Sequence, residues 1–461
     1  MRFVLKPGAG QGDFASTQRF WAMIAISLAV GMATLDTAIT NTALPTISAS
    51  LLASGPGVIW VVTSYQLAMV AAMLPLAAIC DVRGHRPVFL LGLFLFIVSS
   101  FACGAAWSLP ALIAARAIQG LGAAALMAAN TALVRHLYPE NELGRGLGIN
   151  AAVIALGVAA GPTVASAVLS FATWHWLFFI NVPAGAVALA LAWRLLPASM
   201  RSTRTLDVPG ALLCALTFAL FLYGIGGYAQ GASLWSVIIE VSLSVLLGWA
   251  LIRRQRRSAL PLLAVDLLRL PIFSLSAVAA LFAFVAQGLA MVALPFFFQR
   301  TLGVGQVETG LLLTPWPAVG GLMAPVAGRM ADRFSAGLLG GMGMLFLALG
   351  IVVLAMLPAG AAHGLIIACM MICGFGFGLF LSPNQRTLMG SVPRTRSGAA
   401  SGVLGIARIL GQAVGAILVA LHLRVLGPVM GPNFALWVGA GFAGAAAVAS
   451  VLRLVAGAPR G

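Results

Sequence analysis

Charged residues are scarce in this sequence. Only 8% of its 461 residues are charged, whereas 61% are hydrophobic. A soluble globular domain carries charge on about a quarter of its residues, so the composition excludes that class. Apolar runs of about 20 residues recur along the chain, and each could cross ~30 Å of hydrocarbon as a helix. The sequence therefore predicts an all-α membrane protein with many spans.

Lysine, disulfide patterns and metal-ligand patterns are also missing or rare. The one lysine, Lys6, does not follow a glycine-rich turn in mid-chain, which excludes a Walker-type ATP site. The five cysteines lie in or beside apolar runs, as is typical of reduced, buried thiols. No Cys/His spacing resembles a metal site, and no nucleophile–base pair points to catalysis. We therefore expect no enzymatic activity and no bound cofactor.

The apolar runs define fourteen predicted spans. They cover residues 20–40, 57–80, 87–107, 109–134, 146–172, 175–197, 208–228, 233–252, 272–299, 308–330, 336–358, 363–389, 398–422 and 433–455. The connections are short, so no domain is expected outside the membrane. One apolar run is long for a signal peptide and contains Asp36, and we predict that it is the uncleaved first span.

The arginines test this topology and explain the net charge of +16. With the N-terminus inside, all but four of the 26 basic residues fall in cytoplasmic segments. Arg116 and Arg408 lie inside spans, and Arg300 and Arg424 lie in outer loops. Basic residues mark cytoplasmic loops, so the pattern favours an even number of spans with both termini cytoplasmic. The positive charge therefore indicates a lipid bilayer, here the inner (plasma) membrane, and no nucleic-acid partner.

Prolines and glycines repeat between the two halves of the chain. Pro45 and Pro75 recur at one constant offset as Pro295 and Pro325. Four glycines (Gly144, Gly148, Gly157, Gly161) recur at another constant offset as Gly398, Gly402, Gly411 and Gly415. Two parallel six-span halves with a site between them are a transporter architecture. The predicted domains are a cytoplasmic tail (1–19), an N-terminal six-helix bundle (20–197), a linker with two extra spans (198–270) and a C-terminal six-helix bundle (271–456).

The loop after the second span resembles the signature loop of the major facilitator superfamily, G-x-x-x-D-R-x-G-R-[RK]. Asp81, Gly84 and Arg86 keep the pattern, and Arg83 adds a charge. Ala77 and Val82 depart from it. A weaker copy occurs in the second half, at Gly328, Asp332, Arg333 and Gly337.

Four further stretches resemble the fourteen-span drug:proton antiporter branch, whose members include multidrug, methyl viologen and quaternary ammonium exporters. Residues 35–45 are similar to L-D-x-T-I-x-N-x-A-L-P, and residues 116–122 match R-x-x-Q-G-x-G. Residues 157–162 match the start of G-x-x-x-G-P-x-x-G-G, whose last two glycines are replaced by Ala165 and Ser166. Residues 174–185 are similar to W-R-W-x-F-x-I-N-x-P-x-G. The resemblance implies the major facilitator fold, two six-helix bundles plus two inserted central helices.

The resemblance also implies roles for individual residues. Proton coupling falls to Asp36, Arg116 and Arg408. Conformational gating falls to Asp81, Arg83, Gly84, Arg86, Gly157, Gly161, Pro162, Gly328, Asp332 and Arg333. Structural alternatives remain open: Asp36 could bond a neighbouring helix, Arg116 could reach the outer interface, Arg408 could be structural, and the glycines could serve packing alone.

A substrate pocket is expected where the halves meet. Its candidates are Thr37, Asn41, Trp60, Tyr65, Gln66, Asn130, Gln287, Trp316 and Asn384. The resemblance implies a monomeric antiporter that uses the proton as coupling ion for multidrug efflux, and hence antibiotic resistance, with hydrophobic, cationic substrates. The alternative within transport is a dedicated exporter of one antibiotic or metabolite. A membrane receptor would need a signalling domain, which the sequence lacks.

Overall fold

The computed structural model describes residues 16–139, 142–197, 207–256, 265–393 and 396–456, in which all regular secondary structure is helical. The α-helices are α1 Ser16–Ser50, α2 Gly55–Arg83, α3 His85–Gly104, α4 Leu109–Leu137, α5 Leu143–Phe171, α6 Trp176–Phe179, α7 Asn181–Leu195, α8 Val208–Gln230, α9 Leu234–Gln255, α10 Pro271–Phe296, α11 Gln306–Leu313, α12 Pro315–Met330, α13 Ala336–Ala355, α14 His363–Gly390 and α15 Ser397–Ala456. A 3₁₀ turn (Val265–Arg269) precedes α10, and a π-helical turn (Phe297–Thr301) follows it.

The last helix, α15, is too long for one crossing. Its apolar part, Gly398–Val455, has 58 residues, or about 87 Å of helix, against ~30 Å of hydrocarbon. The backbone leaves the helical region at Gly427 (φ 77°, ψ 179°). A Cβ on Gly431 would lie 2.7 Å from the carbonyl oxygen of His422, so the chain turns back on itself there. Thirteen candidate membrane helices among the described residues thus give fourteen crossings.

Fourteen crossings place both ends of the described chain on one side of the bundle. We call this the termini side and the opposite one the far side. The loop that contains Asp81 lies on the termini side. The start of α4 and the Gly427 turn lie on the far side.

The N-terminal bundle consists of α1–α7. In it α1 packs against α5 and α7, and α4 packs against α2 and α3. Close approach to α4 depends on two glycines: Gly120 faces the backbone of Tyr65 on α2, and Gly122 faces the backbone of Phe96 on α3. Any side chain larger than hydrogen would push these helices apart, so α4 is held where Arg116 points into the bundle.

The C-terminal bundle consists of α10–α15. Helix α10 packs against α15, and α13 packs against α14 and α15. Gly411 and Gly415 of α15 lie against the backbone of α10. The inserted helices α8 and α9 pack against each other, and α8 also contacts α2 and α15. The insertion therefore sits beside the line along which α2 and α15 join the two halves.

Helix α5 meets the C-terminal half on the far side. Ser166 of α5 donates a 2.7 Å hydrogen bond to the carbonyl oxygen of Val307, and the hydroxyls of Thr163 and Thr314 are 2.7 Å apart. Toward the termini side, a Cβ added at Gly148 of α5 or at Gly328 of α12 would meet no atom within 4 Å. In the part of the chain that the structure describes, α5 is therefore joined to α11 and Thr314 on the far side, whereas Gly148 and Gly328 border open space on the termini side.

Helix α1 departs most from the predicted spans, since it runs to Ser50 and not to residue 40. Asp36 consequently lies about 30 Å along the helix from Ser16 and about 21 Å from Ser50. Asp36 therefore lies in the far-side half of α1. Seven predicted cytoplasmic basic residues lie outside the described residues: Arg2, Lys6, Arg201, Arg204, Arg257, Arg394 and Arg460.

Candidate functional site

An ion pair between Asp36 and Arg116 lies inside the N-terminal bundle. The Arg116 Nη1 atom donates to Asp36 Oδ2. The side chains are 1% and 0% exposed, respectively. Residues 80 positions apart in sequence are thus brought together by α1 and α4. Burial of both charges makes the pair sensitive to loss of either partner, because the remaining charge would be left in a low-dielectric interior.

Two amide side chains complete the coordination of the carboxylate. Asp36 Oδ1 accepts hydrogen bonds from Gln119 Nε2 at 3.1 Å and from Asn181 Nδ2 at 2.9 Å. Gln119 Nε2 also bonds Ser100 Oγ at 2.8 Å. Helices α1, α3, α4 and α7 therefore all supply a group to this polar cluster.

The Arg116 guanidinium has further partners besides the carboxylate. Its Nη1 donates to Gln119 Oε1 at 2.6 Å, and its Nε donates to the Val61 carbonyl at 3.1 Å. It lies over the Tyr65 ring at 4.3 Å from the centroid and over the Phe178 ring at 5.7 Å. These contacts exclude the alternative that Arg116 extends to the outer interface. Its Nη2 atom is buried without a hydrogen-bond partner among the described residues.

Arg408, the third expected coupling residue, lies apart from this pair. It is on α15 in the C-terminal half and is partly buried.

Some expected pocket residues have buried polar atoms without partners in the described ranges. These atoms are Asn41 Oδ1, Gln66 Oε1, Asn130 Oδ1 and Trp316 Nε1. Gln287 Oε1 accepts a 3.2 Å bond from Gln412 Nε2. Thr37 bonds the Ala33 carbonyl at 3.2 Å on its own helix.

Two expected pocket residues are engaged elsewhere. Trp60 packs on the inserted helix α8, with its ring 5.9 Å from that of Tyr223. Asn384 Oδ1 accepts a 2.7 Å bond from Arg453, and its Nδ2 donates to the Ser276 carbonyl at 3.2 Å. Asn384 therefore belongs to a buried polar network of the C-terminal bundle, in which it bonds the buried Arg453.

The glycines of α5 face their own half of the protein. A Cβ at Gly157 would collide with Thr34, and one at Gly161 with Ala38, both on α1. The interface between the halves is formed instead by the neighbouring face, where a Cβ on Gly310 of α11 would lie 2.5 Å from the Pro162 carbonyl oxygen. Tight packing on α1 thus accounts for both α5 glycines in this conformation.

The two signature loops make contacts within their own halves. Asp81 is 60% exposed and lies 3.9 Å from His85, Gly84 adopts a positive φ of 95°, and Arg86 donates to the Trp193 carbonyl at 2.5 Å. Asp332 pairs with Arg386 of the same half, both 58% exposed, and Arg333 is exposed. Each of these contacts joins residues of the same half.

Three residues of the cluster received no role from the sequence. Gln119 and Asn181 belong to the matched stretches, and Gln119 is three residues from Arg116, hence on the same helix face. That spacing could have identified it. Ser100 carried no signal. Among the described residues no group of three His, Cys, Asp or Glu side chains is placed to hold a metal ion.

Comparison with known proteins identifies the relatives of this chain. The Major Facilitator Superfamily profile matches residues 26–416 and 275–460. The uncharacterized transporter YebQ of Escherichia coli K12 is 49% identical over 95% of this chain and 96% of its own. The riboflavin transporter RibZ of Clostridioides difficile is 30% identical (86% and 87% covered), and the multidrug resistance protein Stp of Mycobacterium tuberculosis H37Rv is 31% identical (85% and 74% covered).

A solved structure supports the same fold. The crystal structure of a POT family transporter in complex with 5-aminolevulinic acid superimposes with a TM-score of 0.73 at 16% identity, covering 96% of this chain and 97% of that one. The predicted all-α fold is therefore confirmed. The family profile shows that the chain is a multi-pass membrane transporter and not an enzyme. With the profile matching most of its length, the chain belongs to the major facilitator superfamily.

Proposed function

We propose that this transporter exports hydrophobic, drug-like compounds in exchange for protons, and that Asp36 carries the coupling proton. The observation that carries this proposal is the Asp36–Arg116 ion pair, which is closed off from solvent inside the N-terminal bundle. A buried carboxylate held by a cation and two amides can change charge only when the surrounding helices move. Charge and conformation are thereby coupled.

Arg116 can keep most of its contacts when Asp36 is protonated. The Val61 carbonyl, Gln119 Oε1 and the Tyr65 ring remain available to the guanidinium. Protonation of Asp36 would therefore weaken the link between α1 and α4 without leaving Arg116 wholly unpaired. Both charge states of the carboxyl group are then accessible within one fold.

Movement of α1 would reach the interface between the halves through α5. Gly157 and Gly161 fix α5 on α1, and Ser166, one turn beyond Pro162, bonds α11 on the far side. We propose that release of Asp36 shifts α1 and α5 together and opens the far-side contact. The signature loops at Asp81 and Asp332 would then form the termini-side contacts of the opposite state, where charge-assisted hydrogen bonds are strong.

The choice of drug-like substrates rests on the relatives. Stp is named a multidrug resistance protein, whereas RibZ is named for one compound, riboflavin. Export of a single metabolite or antibiotic is therefore the second candidate. In both cases we propose a monomer in the inner membrane with cytoplasmic termini.

Everted membrane vesicles test the proposal. Cells with and without the gene are first screened with toxic compounds, and any compound against which the gene protects is added to energised vesicles. Wild-type vesicles should accumulate the compound and release protons as they do so. Asp36→Asn, which keeps shape but cannot titrate, should abolish proton-driven accumulation.

Glu308→Gln is the matched control, because Glu308 is an exposed acid at the start of α11. It should transport like the wild type. If Asp36→Asn accumulates substrate against a gradient at the wild-type rate, Asp36 is not the proton carrier. Glu240, the other acid within a span, would be examined next. Protection from one compound only would favour the dedicated exporter.

A further inference from the structure

Arg408 is a cation in mid-membrane for which the structure offers no counterion. It lies eleven residues after Ser397, about 16 Å along a helix that crosses ~30 Å of hydrocarbon. Its side chain makes no hydrogen bond and no ion pair with any residue that the structure describes. Arginine at such a depth is costly unless it meets a partner or a water-filled cavity.

The acids within the spans cannot serve this arginine. Asp36 is bonded to Arg116, Gln119 and Asn181 and is 1% exposed. Glu240 packs against Gly224, between the inserted helices α8 and α9. The other described acids lie at or beyond helix ends. With the Asp36–Arg116 pair neutral overall, the region between the halves carries the positive charge of Arg408.

The faces of α15 show where Arg408 points. Gly405 contacts Met73 of α2, and Gly411 packs against Phe284 of α10. At 100° per residue, Arg408 lies in the arc between these two faces, toward the space between α2 and α10.

Two amides share this face. Gln412 is one turn from Arg408, and its Nε2 bonds Gln287 Oε1 of α10 at 3.2 Å. Among the described residues Gln287 Nε2 donates to no other group. Gln66 of α2, 4% exposed, also has an oxygen without a partner in the described chain. The site thus combines a cation, amide donors and apolar helix surface.

We infer that Arg408, with Gln287 and Gln412, binds the anionic group of the transported compound, so that the substrates are hydrophobic organic anions such as carboxylates or sulfonates. This inference rests on the proposed export function and replaces the expected preference for cations. A guanidinium presents a planar fork of donors that matches a carboxylate, and charge-assisted bonds of this kind are among the strongest in proteins. A cationic compound would instead meet like charge and no available carboxylate.

Binding to the purified full-length protein in lipid nanodiscs tests the charge preference. Two xanthene dyes serve as probes, anionic fluorescein and cationic pyronin Y, with binding followed by fluorescence anisotropy. The wild type should bind fluorescein more tightly than pyronin Y. Arg408→Gln should weaken fluorescein binding about tenfold or more, the loss expected for a hydrogen bond to a charged group. Arg408→Lys, which keeps the charge but not the fork, should lose less.

Arg300→Gln is the matched control, since Arg300 is an exposed arginine on the far side that contacts the Phe296 ring. It should leave fluorescein binding unchanged. Tighter wild-type binding of pyronin Y, or equal fluorescein binding by wild type and Arg408→Gln in folded protein, would overturn the inference, as would no fluorescein binding at all. Proton-dependent flux in vesicles is measured separately. Selective anion binding without such flux would refute the export proposal while leaving the anion site standing.

Discussion

The ion pair between Asp36 and Arg116 should behave as one energetic unit. We consider Asp36→Asn, Arg116→Gln and the double variant. Each single change leaves one buried charge without its partner, which typically costs about 3–5 kcal/mol of folding free energy. Asp36→Asn should fall near the lower bound, because Arg116 keeps the Val61 carbonyl and the Tyr65 ring. Arg116→Gln should fall near the upper bound, because it also removes the bond to the Val61 carbonyl and the contact with the Tyr65 ring.

The double variant should be less damaging than the sum of the single ones. It contains no buried charge at this site, and contacting residues usually couple by ~0.5–3 kcal/mol. We expect a coupling energy of about 2–3 kcal/mol, obtained from reversible unfolding in mixed detergent micelles. Asp332→Asn and Arg386→Gln form the matched control cycle, because that pair is 58% exposed on both sides. Exposed pairs contribute about 0–1 kcal/mol. A coupling energy at the buried pair no larger than at the exposed pair would refute the reasoning.

Three further predictions concern the surface of the protein. Asp207 accepts hydrogen bonds from Arg254 and from the Gly210 amide, and these hold the pKa of Asp207 below its usual range. The stabilisation by ionised Asp207 is therefore present above the unfolded-state pKa, ~3.9, and is lost as pH falls through the folded-state pKa. In thermal unfolding, Asp207→Asn should be less stable than the wild type by up to about 1 kcal/mol at neutral pH. In strong acid the two proteins should be equally stable. Asp81→Asn should reduce vesicle transport but leave the unfolding temperature unchanged, because Asp81 is exposed here; full transport would exclude a role in gating. Single cysteines at residues 139–145, 198–206 and 253–269 should react only with reagents that reach the cytoplasm, and those at 228–232 with external reagents. External labelling of 253–269 would refute the fourteen-span topology. Residues 140–141, 198–206 and 257–264 lie outside the described chain.

Most of the fold could be predicted because the features that decide membrane insertion are local in the sequence. Apolar length defines a span, and arginine placement defines its direction. The end of α1 was harder, since Pro45 and the polar residues after Asn41 suggest a helix end. Yet the helix continues through the proline to Ser50. Prolines are tolerated within membrane helices when neighbouring groups satisfy the backbone.

The site was predictable only in part. The resemblance indicated Asp36 and Arg116 as separate residues, but their pairing depends on how α1 and α4 pack, which no local pattern encodes. Arg408 shows the same limit. Its position in a span is clear from the sequence, whereas the missing counterion emerges only when the partners of every buried acid are known. The engagement of Asn384 with Arg453 likewise depends on contacts between distant helices.

The burial of Asp36 affects how much of the proton gradient an exporter loses without moving substrate. A carboxylate that stayed in contact with water on either side could pass protons through the bundle in every idle cycle and dissipate the gradient as heat. In the proposed mechanism Asp36, with 1% of its side chain exposed, exchanges protons only when α1 and α4 separate. A transporter without substrate in this conformation therefore carries no protons across the membrane. Enlarging the cavity beside the pair, for instance by Phe178→Ala, would let water reach it and turn the protein into a proton leak that slows growth even without drug.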